Sequence, residues 1–166
     1  MKNKFKYLCI IVIGGAIILF NLSGCFSKSP LVTPSQGMTP VETVQFYFEQ
    51  WNNKNTNGMN SVVRDEMKGS GSGNSHLVYV KLTQSVEETE KHMNLEGTYF
   101  SDTYPGYVEY SVVEVEFEIE FKSYFLDFWL EETGGFGVGK HNIDNWSYTL
   151  GKINEESDWI ILDWGV

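Results

Sequence analysis

The chain has 166 residues, 42% hydrophobic, 15% aromatic and 20% charged, with 22 acidic against 12 basic side chains and a formal charge of −10. That composition excludes a disordered tail, a collagen and a coiled coil, and the length fits one domain around one core. The acidic balance excludes nucleic acid as a partner, because phosphates require a basic footprint.

The first residues read as an address. Lys2, Lys4 and Lys6 precede an apolar run from Tyr7 to Phe20, 14 residues long and interrupted by Gly14 and Gly15. A spanning helix needs about 20 apolar residues, so the layout is that of a secretory signal peptide over residues 1–24. Leu22-Ser23-Gly24-Cys25 then resembles the bacterial lipobox, whose small residues let the lipoprotein signal peptidase hold an extended backbone while the cysteine thiol takes up a diacylglycerol. Cys25 is the expected lipid-attachment residue. The mature chain would keep all 22 acids and nine basic residues, a formal charge of −13, and no disulfide, since Cys9 leaves with the leader. The expected location is the extracytoplasmic face of the bacterial cell membrane, with the membrane as partner through lipidated Cys25.

Residues 25–38 carry Ser27, Ser29, Pro30, Pro34, Ser35 and Gly37 without apolar periodicity, and read as a flexible lipidated linker. Residues 39–166 read as a single domain. Thr39-Pro40-Val41-Glu42 is a compact helix start, with threonine as cap, proline in the first turn and glutamate three residues after the cap. Val41, Val44, Phe48 and Trp51 follow at helical spacing beside Tyr47, and the asparagine-rich stretch 52–57 stops the helix. A second short helix is expected over Gly58–Met67. After the break Gly69-Ser70-Gly71-Ser72-Gly73 the period changes to two, predicting strands over His76–Thr83, Tyr107–Phe121, Asn145–Ile153 and Asp158–Trp164. Asn154–Ser157 is the turn of a final hairpin. Helices followed by antiparallel strands predict an α+β domain.

Two stretches resemble a known family. Thr39-Pro40-x-x-Thr43-Val44-x-x-Tyr47-Phe48-x-x-Trp51-Asn52-x-Lys54-Asn55 is similar to the opening helix of nuclear-transport-factor-2-like (cystatin-like) domains. Trp146-x-Tyr148-x-Leu150-x-Lys152 and Asp158-Trp159-x-Ile161-x-Asp163-Trp164-Gly165 resemble their closing hairpin, and both resemble uncharacterised Gram-positive lipoproteins carrying such a domain. The resemblance implies a cone-shaped fold, N-terminal helices packed on a curved antiparallel sheet with a pocket at the wide end. It supplies no catalytic set, since the superfamily hosts dehydratases, isomerases and scaffolds.

The chemistry-bearing residues are sparse. Glu114, Glu116, Glu118 and Glu120 alternate with Val113, Val115, Phe117, Ile119 and Phe121, which places the acids on one strand face, available to a cation or simply to water and to lysines such as Lys81 and Lys152. Glu87, Glu88 and Glu90 read as a polar turn or short surface helix. Gly134 to Lys140 has the glycine and lysine positions of a phosphate-binding loop, but His141 stands where Ser or Thr must hold magnesium, so it reads as a hairpin loop. His76, His92 and His141 lack zinc-type spacing, and neither a metal nor a cofactor is expected. Tyr47, Trp51, Trp146, Tyr148 and Trp164 are the candidate pocket wall. Tyr124 to Leu130, with Phe125, Phe128 and Trp129, is the candidate partner surface. The expected function is a non-catalytic ligand- or protein-binding module. The alternatives are a proton-transfer enzyme of dehydratase or isomerase type, with Asp127, Asp163 and His141 as candidates, and a structural member of an envelope complex.

Overall fold

The computed structural model describes residues 33–69, 76–96, 99–122 and 138–165. Helix α1 spans Pro40–Asn52, and its start is the capping box expected from sequence. The Glu42 amide donates to Thr39 Oγ1 (3.2 Å), and the Thr39 amide donates back to Glu42 Oε2 (2.7 Å). The Thr39 amide, and after it the Thr39 hydroxyl, holds the Glu42 carboxyl below its ordinary range. Thr39→Ala removes one of the two bonds and should lower unfolding free energy by about 1 kcal/mol in urea titrations.

Between α1 and the sheet, the expected second helix is shorter than its apolar pattern implied. Helix α2 covers only Thr56–Asn60, and a 3-10 turn follows at Asp65–Met67. The intervening backbone instead pairs with the last strand: the Ile161 amide donates to Val62 O (2.8 Å) and the Arg64 amide to Ile161 O (3.0 Å). Sheet pairing satisfies these groups better than one more helical turn, and it covers part of a strand edge. A buried polar knot fixes α2 on α1. Asn55 Nδ2 donates to Gln50 Oε1 (2.8 Å), and the Gly58 amide donates to Asn55 Oδ1 (3.2 Å).

The strands β1 (Leu77–Glu87), β2 (Glu109–Phe121), β3 (Gly139–Lys152) and β4 (Ile160–Gly165) form, among the described residues, a four-stranded antiparallel sheet in the order β1-β2-β3-β4. The chain is thus an α+β protein. The Asn154–Ser157 turn is built as its sequence implied: Ser157 Oγ accepts the Ile153 and Asn154 amides and donates to Asn154 O. β3 begins six residues before the predicted strand. A register shift between Val115 and Phe117, where Phe117 faces Ile143, and a positive φ at Asn145 interrupt the alternation there.

Both faces of the sheet are covered at the hairpin end. On the inner face α1 packs Val44, Tyr47, Phe48 and Trp51 against Val113, Val115, Phe117, Ile119, Tyr148 and Leu150. On the outer face helices α3 (Thr89–Glu96) and α4 (Tyr99–Thr103), inserted between β1 and β2, lead to a second, smaller core of Phe100, Tyr104, Val112 and Leu162, flanked by Tyr107, Tyr110 and Ile160. Gly151 lies beneath that core. A Cβ there would sit 2.8 Å from both Leu162 Cδ1 and Tyr107 Cδ1. Gly151→Val should cost about 1–3 kcal/mol through overpacking, read as a lowered urea midpoint, whereas unchanged stability would mean that the second core is loose.

Candidate functional site

The candidate pocket residues gather on the inner face. Helical spacing puts Tyr47 and Trp51 on the buried side of α1, and cross-strand pairing sets Tyr148 beside Trp164. Ring centroids separate Tyr47 from Tyr148 by 5.8 Å, Tyr47 from Trp164 by 5.9 Å and Tyr148 from Trp164 by 6.1 Å. Trp146 stands apart, edge-on to Phe117 at 6.3 Å. Tyr47, Trp51 and Tyr148 are only 3%, 4% and 2% exposed, so they belong to the core. Tyr47 and Trp164 also line a crevice with Thr56, Met59, Val63 and Met67, too narrow in this conformation for a water molecule. Among the described residues the Tyr47 hydroxyl makes no hydrogen bond. Burial pushes its pKa upward, and burial followed by proximity to Tyr47 does the same to Tyr148. Both phenols therefore stay neutral, and Tyr47 keeps a donor beside the crevice.

A larger groove of about 440 Å³ lies at the hairpin end. Gln36 to Pro40 forms one wall, Glu155 to Trp159 the other, and Glu109 and Lys152 the floor. Lys152 does not reach the glutamate row. Its Nζ lies 3.6 Å from Glu109 and 5.0 Å over the Trp159 ring.

The four glutamates share the outer face, as their alternation implied, and are half-buried. Glu114 accepts from Lys91 Nζ (2.6 Å) and lies 3.0 Å from His92 Nε2, both on α3. Glu118 pairs with Lys140 (2.9 Å) and stands opposite Lys81 in the register. Lys140, from the glycine-rich stretch, is thus a sheet residue. Hydrogen bonds from Lys91 and His92 hold the Glu114 carboxyl below its ordinary range, and Lys140 does so for Glu118. A lowered carboxyl pKa gives stability that is complete above the unfolded value near 4.5 and lost as pH falls through the folded value. The stability gap between the parent chain and Glu114→Gln should accordingly be constant from pH 6 to 8 and close on acidification below about pH 4.5. Thermal melts across that range check it.

The residues considered for proton transfer do not converge. Asp163 lies opposite Thr149 on the outer face, accepting from the Tyr104 hydroxyl (2.7 Å) and the Trp164 amide (2.8 Å). His141 stands opposite Ile119, a residue of the inner core. The two are on opposite faces of the sheet, and Asp127 lies outside the described residues, as do Cys25, Phe125, Phe128 and Trp129. Among the described residues no group of three or more His, Cys, Asp or Glu side chains could hold a metal ion, and no helix is long and apolar enough to cross a membrane.

Sequence reasoning did not find the arrangement around Tyr104. Arg64 lies 5.3 Å over the Tyr104 ring, Tyr104 donates to Asp163, and Tyr110 donates to Tyr104 O (2.8 Å). These residues come from four separate segments without a shared period, so only the outer-face packing reveals them. No protein-family model, curated protein or solved structure matches the chain.

Proposed function

We propose that the chain is a lipoprotein anchored at the extracytoplasmic face of the bacterial cell membrane, and that its α+β domain, of the cone-shaped nuclear-transport-factor-2-like type, binds a ligand or protein partner without turning it over. The observation that carries this reading is Leu22-Ser23-Gly24-Cys25 placed directly behind a lysine-rich, apolar leader. Only a cysteine thiol accepts the diacylglycerol, so the position of Cys25 explains the leader and the linker together.

The recognition half is supported by the crevice at Tyr47 and Trp164, where a phenol without a hydrogen bond among the described residues meets apolar side chains, the usual composition of a small-molecule site. A ligand would have to displace the Met67 and Trp164 side chains, which line the crevice. Asp163, next to Trp164 in sequence, is already committed to Tyr104 and the Trp164 amide. Growth of expressing cells with an alkyne-bearing fatty acid tests the anchor: the chain should carry the label in the membrane fraction, and an unlabelled chain contradicts it. Small aromatic fragments test the crevice. The Trp164 indole resonance should move on titration while that of Trp146 stays, and fragments that leave Trp164 unmoved contradict the site.

A further inference from the structure

The arm that precedes α1 is fastened to one end of the sheet. The Gly37 amide donates to Asp158 Oδ1 at 3.0 Å, with Gly37 at φ +74°, and Met38 packs against the inner core. Asp158 follows the β3–β4 turn, so the linker leaves the domain beside Glu155, Glu156 and Glu109, where Glu109 pairs with Lys152. The opposite rim is where Phe121 pairs with Gly139 and Leu77 with Phe121, and it carries Lys122 and Lys140. We propose that the domain has a fixed polarity on the membrane: the β3–β4 turn faces the lipid headgroups, and the rim bearing Lys122 and Lys140 faces away from them. This rests on the lipidated-Cys25 reading and adds to it the face that meets the lipid surface.

Two forces oppose each other, and chain length decides between them. Anionic headgroups repel the carboxylates of Glu109, Glu155, Glu156 and Asp158 and attract Lys122 at the rim, where Lys140 is already paired with Glu118 and faces Glu120, but this acts only within a Debye length of about 8 Å. Eleven residues, 26–36, lie between Cys25 and Gly37. Fully extended, that span reaches about 40 Å, and as ordinary flexible chain about 20 Å. The 13 residues of β2, which run from the turn end to the rim, are themselves about 40 Å long. Laying the rim on the bilayer would need a taut linker, whereas facing the turn toward it needs none. Charge repulsion then sets how far the turn stands off, and the polarity follows from the point of attachment.

Glu155→Cys and Lys122→Cys, made singly at two exposed positions, test this in the full chain in native membranes. Cys9 leaves with the leader and Cys25 is blocked as a thioether, so each introduced thiol is the one labelled. Energy transfer from a dye to acceptor lipids should be higher from position 155 than from position 122. Inserting about 20 Gly/Ser residues after Ser35 should shrink the difference, since a linker of that length lets either end reach the bilayer. Equal or reversed transfer on a chain whose Cys25 is shown by mass spectrometry to be acylated overturns the polarity alone, as does a difference that survives the insertion. An unacylated Cys25 overturns the anchor and the polarity together.

Discussion

Phe117→Ala is expected to lower the unfolding free energy by about 3–5 kcal/mol, a large share of the 5–15 kcal/mol typical of a domain. Phe117 is 1% exposed, and its ring meets Phe48 at 5.0 Å, Trp51 at 6.2 Å and Trp146 at 6.3 Å. Truncation loses the transfer energy of the ring and leaves a void that three large aromatic groups on two different elements cannot fill by small shifts. Val108, exposed and outside both cores, is the control: Val108→Ala should change stability by less than about 0.5 kcal/mol. Urea titrations that find Phe117→Ala costing below about 1 kcal/mol would contradict the packing of α1 on the sheet.

The parts of the fold that follow one rule locally were legible in the sequence. The capping box at Thr39 and Glu42 involves four consecutive residues and reads the same in the chain as in space. The alternation from Val113 to Phe121 announces a strand with one buried and one polar face, which β2 is. Where two rules compete, the reading failed. Val62 and Val63 fit a helix by spacing, but the unpaired backbone at Ile161 draws that segment into a bridge. The irregularity near Asn145 shifts the alternation of β3, so its first six residues carried no strand signal. The second core was illegible for another reason: Phe100, Tyr104, Val112 and Leu162 have no common period, and only the return of the chain over the outer face unites them.

The candidate site was legible to a similar degree. Helical and strand spacing brought Tyr47, Trp51, Tyr148 and Trp164 to one face, but most of that cluster is core, and only Tyr47 and Trp164 border the crevice. The groove beside Asp158 and the fastening at Gly37 join residues 121 positions apart, a relation that no local pattern encodes.

Cys25→Ser should abolish fatty-acid labelling of the chain and leave the leader of residues 1–24 uncleaved, read as loss of the label together with a larger mass. A serine hydroxyl cannot form the thioether, and the chain then retains no acyl group. The domain itself should be untouched, with the same urea midpoint, because Cys25 lies 12 residues before Gly37, the first residue fastened to the sheet among the described ones.

Mass spectrometry of the chain recovered from its own membranes asks the question most directly. The expected species begins at Cys25 and carries the added mass of a diacylglycerol on that residue. A chain that still begins at Met1, or that begins at Cys25 with a free thiol, would contradict a lipid-anchored protein and, with it, the placement of the β3–β4 turn against the membrane.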